Sequence, residues 1–204
     1  MQYDYRHPRT DAAFAAILAD LARPQENTVM LTILRSAFIA LAIAGLAACG
    51  PSQARPTTGG AAPELTGIDN WLNSPPLTLR QLRGKVVLVD FWTYSCINCI
   101  HTLPYVQQWH RKYKDQGLVV VGVHTPEYAF ERDTGNVRDA VRRFGLTYPI
   151  AQDNRYATWK AYGNLYWPAF YLVDRSGKIV YTHFGEGDYE KTEAAIKAQL
   201  ATAR

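Results

Sequence analysis

The stretch KVVLVDFWTYSCINC, residues 85–99, passes from an apolar, β-branched run into two cysteines separated by two residues. Lys85 to Trp92, behind Gly84, has the composition of a strand buried on both faces. From Cys96 the period changes: Ile100, Leu103, Val106 and Tyr113 follow helical spacing as far as the stop at Gly117. A strand running out into a helix brings Cys96 to the end where backbone N–H groups lack partners and the dipole is positive. Both features favour a thiolate, so Cys96 is the candidate nucleophile. Cys99 lies one turn deeper, in reach of a mixed disulfide formed on Cys96.

Outward from this segment the pattern keeps alternating. Leu118 to Val123 (LVVVGV) reads as a second strand buried on both faces. Val137, Ala140, Val141 and Phe144 trace a helix that stops at Gly145, Tyr148 to Ala151 a short strand, and Asn154 to Tyr162 a short helix. Ala169 to Asp174, the turn Arg175-Ser176-Gly177 and Lys178 to His183 predict an antiparallel hairpin. Asp188 is placed to cap a last helix running to about Leu200. The order predicts an α/β domain with a central mixed β-sheet flanked by helices.

Three cysteines, Cys49, Cys96 and Cys99, cannot all pair within the chain, which excludes a disulfide scaffold. Half of a zinc site is a poor alternative, since there is no second cysteine pair and His101 stands two positions past Cys99, not adjacent as haem attachment needs. No metal and no cofactor is expected. The net charge is +4, and Arg138, Arg142 and Arg143 read as one solvated helix face, so no nucleic-acid partner is expected.

Before the domain, Ser36 to Ala48 is apolar, follows Arg35 and ends Leu46-Ala47-Ala48-Cys49. It is shorter than the ~20 residues of a bilayer span and has the layout of a secretory signal. Its end resembles the bacterial lipobox, which implies lipidation at Cys49 and a protein anchored at the periplasmic face of a bacterial membrane. Residues 30–48 are then the signal peptide and 49–63, rich in Pro, Gly, Thr and Ala, a flexible tether. Residues 1–29 read as an upstream extension, with translation beginning near Met30. The functional domain is expected over 64–204.

The segment 89–99 resembles the active-site segment of the thioredoxin superfamily, and within it the TlpA/DipZ-like branch of membrane-associated thiol:disulfide interchange proteins. The resemblance implies a thioredoxin-like fold, with the helix at Asn136 to Gly145 as an insertion. It implies a buried carboxyl at Asp90, six positions before Cys96, that takes the proton of Cys99. Burial should raise its pKa. Pro104 matches the proline inside the family's active-site helix. Pro168 matches the family's cis-proline, which implies that Trp167 and Pro168 face the cysteines. Ser95, Ile97 and Asn98 replace the tryptophan and Gly-Pro of thioredoxins. They complete the candidate substrate-contacting set, and their identity leaves the potential open. Glu127 and His124, after the second strand, are candidate modulators of the thiols. Thr102 stands where some cytochrome-maturation reductases carry a glutamate.

The expected activity is disulfide exchange or reduction in extracytoplasmic proteins, apocytochromes among them, with electrons from a membrane thiol donor. Two alternatives use the same fold. A peroxidase of the peroxiredoxin type would use Thr93 with Cys96, but Val89 occupies the position of its proline. A copper-binding assembly factor would recruit His183 as a distal ligand, but its cysteines would be four apart, not three.

Overall fold

The structure, a computed structural model, describes residues 57–202. The upstream extension, the signal peptide, Cys49 and the tether as far as residue 56 lie outside the described residues.

Six strands form one sheet in the order β1-β4-β3-β2-β5-β6. They are β1 (Asn70–Leu72), β2 (Val86–Trp92), β3 (Leu118–His124), β4 (Ile150–Gln152), β5 (Ala169–Val173) and β6 (Ile179–Phe184). The pairs β2–β3 and β3–β4 are parallel, whereas β1–β4, β2–β5 and β5–β6 are antiparallel. Four helices pack on the sheet: α1 (Ile97–Tyr113), α2 (Thr134–Arg143), α3 (Ala157–Ala161) and α4 (Tyr189–Ala201). This is the mixed sheet that the sequence predicts.

All of β2 is buried because it is the central strand with apolar layers on both sides. Val86, Leu88 and Trp92 join Cys99, Leu103, Trp109, Tyr148 and Phe170 in one layer. Val87, Val89 and Phe91 join Trp159, Tyr162 and Tyr171 in the other. The alternation puts Asp90, between Leu88 and Trp92, on the Cys99 side of the sheet.

Three features depart from the sequence reading. Strand β1 was not foreseen; it is three residues long and contributes one large side chain, Trp71, too little for a periodic signal. Residues 57–62, read as the end of the tether, are bound to the β5–β6 hairpin. Gly59 N–H donates to Ile179 O at 2.7 Å and Ala62 N–H to Gly177 O at 2.9 Å. Backbone bonds thus tie residues 57–62 to the domain expected from 64. Asp188 precedes α4 as expected, but in a left-handed conformation (φ 48°) and without a capping side-chain bond. Its carboxylate turns to Lys191 Nζ at 2.9 Å.

Candidate active site

The parallel strands β2 and β3 end together, Trp92 opposite His124, and Thr125 N–H donates to Trp92 O at 3.1 Å. Beyond β2, Thr93 to Ser95 lead into α1. Cys96 is the N-cap residue of that helix. Its sulfur accepts the Cys99 N–H at 3.3 Å, in the place where a Ser or Asp oxygen ordinarily sits. Pro104 lies within α1 without ending it. Across the opening, the peptide Trp167–Pro168 is cis, and Cys96 Sγ lies 4.0 Å from Trp167 O.

The two thiols differ sharply in environment. Cys96 is partly exposed and Cys99 buried, and both stand as free thiols. The Cys96 pKa is lowered to about 7, first by the hydrogen bond with the Cys99 thiol, then against the cost of burial by the N–H groups of Cys99 and Asn98. Burial drives the Cys99 pKa far up, and negative charge on Cys96 and Asp90 adds to the rise. One sulfur is therefore available as a thiolate near neutrality, while the other holds its proton until something removes it.

Asp90 lies beneath them. It is buried, and burial pushes its pKa up to about 8. Both carboxylate oxygens lack a hydrogen-bond partner among the described residues, as do Tyr148 Oη and Trp92 Nε1 on the same side of the sheet. A carboxyl in that setting is neutral at pH 7 and able to exchange a proton close to neutrality.

The other residues singled out in the sequence divide by position. Ser95, Ile97 and Asn98 are exposed around Cys96, Ile97 at 60 %. Trp167 presents its carbonyl to the nucleophile, but its ring is a wall: Nε1 donates to Thr125 O at 3.0 Å and the ring packs 4.1 Å from Trp159. His124 is buried between the rings of Trp92 and Tyr94, with Nε2 3.3 Å from Thr93 Oγ1. Burial lowers its pKa to about 4, so it is neutral and no source of positive charge for the thiols. Glu127 is exposed, and its charge opposes ionisation of Cys96. Thr102, in place of a glutamate, bonds back to Asn98 O at 2.8 Å.

One residue escaped the sequence reading. Glu131 is completely buried beside the cysteine loop and collects Ser95 Oγ–H at 2.6 Å, Ser95 N–H at 3.3 Å and Tyr128 N–H at 2.9 Å. A glutamate between Phe130 and Arg132 reads as a solvated loop charge. A signal was present nonetheless, since TPEYAFER crowds two acids into the loop after a strand end, where α/β sites are built.

The Redoxin family profile matches residues 57–200. The chain belongs to the Redoxin family. Protein DipZ of Mycobacterium tuberculosis is 52 % identical over 164 residues, which cover 79 % of this chain and 24 % of DipZ. The chain thus spans about a quarter of that relative's length. The thiol-disulfide oxidoreductase YkuV of Bacillus subtilis is 36 % identical over 140 residues, 68 % of this chain and 93 % of YkuV. Among solved structures, a thiol-disulfide isomerase of Corynebacterium glutamicum superposes with a TM-score of 0.63 at 27 % identity, over 70 % of this chain and 98 % of that one. These relatives place this Redoxin domain in the TlpA/DipZ-like branch of the thioredoxin superfamily, among thiol–disulfide oxidoreductases.

Proposed function

We propose that the protein exchanges, and chiefly reduces, disulfide bonds of proteins outside the cytoplasm. The observation that carries this reading is the asymmetric dithiol: a half-exposed Cys96 with a lowered pKa at a helix mouth, above a buried, protonated Cys99. Cys96 as thiolate attacks a substrate sulfur and expels the other as a thiolate, which takes a proton from solvent, leaving a mixed disulfide. Asp90, after giving up its own proton to solvent, takes the proton of Cys99; the Cys99 thiolate attacks Cys96 Sγ and expels the second substrate sulfur, so the enzyme leaves as the Cys96–Cys99 disulfide. A membrane thiol donor returns two electrons, and apocytochromes are among the candidate substrates. Exposed Leu165, Tyr166 and Phe184 beside Cys96 suit a polypeptide partner.

The location rests on the sequence: the signal-like run before Cys49 and the lipobox-like Leu46-Ala47-Ala48-Cys49. Palmitate labelling of the chain in a bacterial host, lost on Cys49→Ser, is the expected result; labelling that survives the substitution would overturn the anchor.

The peroxidase alternative loses support at Thr93, whose hydroxyl is shared with His124 and Glu131. For the copper alternative, His183 lies against Phe170 and 3.9 Å from Asp188.

The deciding experiment is mixed-disulfide capture. Cys99→Ser should accumulate a covalent adduct with a protein disulfide through Cys96, and the parent should reduce insulin. No adduct and no insulin reduction would sink the reading. The potential of the couple then sets direction, since a value near about −270 mV indicates a reductase and one near about −120 mV an oxidase.

A further inference from the structure

Among the described residues, Glu131 is a charged side chain fully buried against the active-site loop, and the reaction as proposed gives it no task. Its two oxygens serve different segments. Oε1 accepts from Ser95 N–H and Oγ–H, immediately before the nucleophile. Oε2 accepts from the N–H groups of Glu127 and Tyr128 at 2.5 and 2.9 Å. Thr93 also hydrogen-bonds to it. These donors outweigh the cost of burial and hold its pKa below the usual carboxylate range, so it is ionised. Thr93 Oγ1 also lies 3.3 Å from His124 Nε2. Thr93, through its backbone, in turn bonds Cys99.

We propose that Glu131 is the positioning residue of this site: its carboxylate clamps Thr93 and Ser95 onto the 127–128 turn and thereby fixes Glu127 relative to Cys96. The inference rests on the thiol–disulfide reading and adds a control on the nucleophile. Cys96 feels Cys99 from its own helix and Glu127 from the turn after β3, while the 167–168 turn offers it the uncharged Trp167 carbonyl. Glu127 touches Cys96 only through space, so its influence depends on where the turn is held. The turn is held by bonds to Glu131.

Glu131→Gln tests this because a carboxamide has one accepting oxygen. With its NH2 towards the turn, the bonds from Glu127 and Tyr128 N–H are lost; with its NH2 towards Ser95, the Ser95 N–H bond is lost and Oγ must turn from donor to acceptor, so the clamp is weakened at one end in either orientation. The measurement is the pKa of Cys96 in the full chain, from thiolate absorbance against pH, for the four members of a Glu127→Gln and Glu131→Gln cycle. In the parent background Glu127→Gln should lower the Cys96 pKa by about 0.3–0.5, the size of a solvent-screened charge some way off. In the Glu131→Gln background the same change should move it by less than half as much. A shift of equal size in both backgrounds, or none in the parent, would overturn the proposal, since a residue serving stability alone lowers the melting temperature without altering the effect of Glu127. Should Glu131→Gln fail to fold, Ser95→Ala replaces it, removing one bond and keeping the charge. The Glu127→Gln shift should then shrink, and an unchanged shift overturns the clamp. No substrate enters the measurement, so insulin reduction by the same parent reports separately on the oxidoreductase reading.

Discussion

At the scale of single residues, the site separates two sulfurs and a carboxyl by their surroundings. The Cys96 thiolate gains first from the Cys99 thiol donating to it. Alkylation of the reduced protein by iodoacetamide should therefore fall on Cys96, with a rate that rises through a midpoint near pH 7. Cys99→Ala removes the leading donor and should move that midpoint upward; an unmoved midpoint would mean that the helix N–H groups do the work alone. Asp90 makes a second prediction, on stability. Its pKa lies at about 8 in the fold and near 3.8 in the unfolded chain. Between these values the folded protein holds a proton that the unfolded chain has released, so stability falls as pH rises across that window and is lowest above 8. Asp90→Asn abolishes the term. The variant should match the parent below pH 4 and exceed it increasingly towards alkaline pH, by an upper bound of roughly 6 kcal/mol. Urea denaturation on both sides of the window checks this, and a pH-independent difference would contradict it. The same variant should lose about 100-fold in turnover at neutral pH, near the lower end of what a positioned base supplies.

At the scale of elements, β2 and β3 set the spacing that the site uses. Asp90 pairs with Gly122 across the parallel ladder. A Cβ at Gly122 would stand 2.8 Å from Ile150 Cδ1 and 3.0 Å from both Trp92 Nε1 and Tyr148 Cε2. Two of those neighbours are rigid rings, so Gly122→Ala should cost about 1–3 kcal/mol by overpacking. Urea denaturation would show the cost as a lower midpoint, and a neutral result would mean the Ile150 tip absorbs the contact. The central elements were legible because strand β2 is apolar on both faces and α1 opens on a cysteine at a sharp change of period. Asp90 stood out for the same reason, as one acid in an apolar run. The rest was hidden for physical reasons. Glu131 is buried because main-chain N–H groups of Glu127 and Tyr128 converge on it, and main-chain donors leave no trace in side-chain pattern. Asp188 occupies the expected position, but its left-handed backbone sends its carboxylate to Lys191, not to the helix. Binding of 57–62 to the hairpin is made by backbone groups of Gly59, Gly60 and Ala62, residues whose composition alone suggests a linker.

At the scale of the whole molecule, one end of the sheet carries both the chemistry and a band of uncovered apolar side chains. On one side of Cys96, Ile97, Leu165 and Tyr166 are more than half exposed, and Phe184 is 37 % exposed. A cleft of about 620 Å³ lies between Asn98, Leu165, Tyr166, Trp167, Phe184 and Gly185. On the other side Tyr128 and Phe130 stack on each other at 5.5 Å, both exposed. A small disulfide needs only the sulfur, whereas a polypeptide must also lay its flanking residues on these walls. Truncating the walls should therefore separate the two substrates. Tyr166→Ser with Phe184→Ser removes aromatic area that touches neither cysteine; the two rings lean on each other at 5.7 Å. At about 25 cal/mol per Å² of apolar area covered, losing two such contacts should raise KM for a protein disulfide by about 10-fold or more. The rate with an aromatic small-molecule disulfide, and the Cys96 pKa, should stay unchanged. An equal loss on both substrates would show that the substitutions disturb the thiols themselves, and no loss on the protein substrate would show that the polypeptide is gripped on the Tyr128–Phe130 side instead.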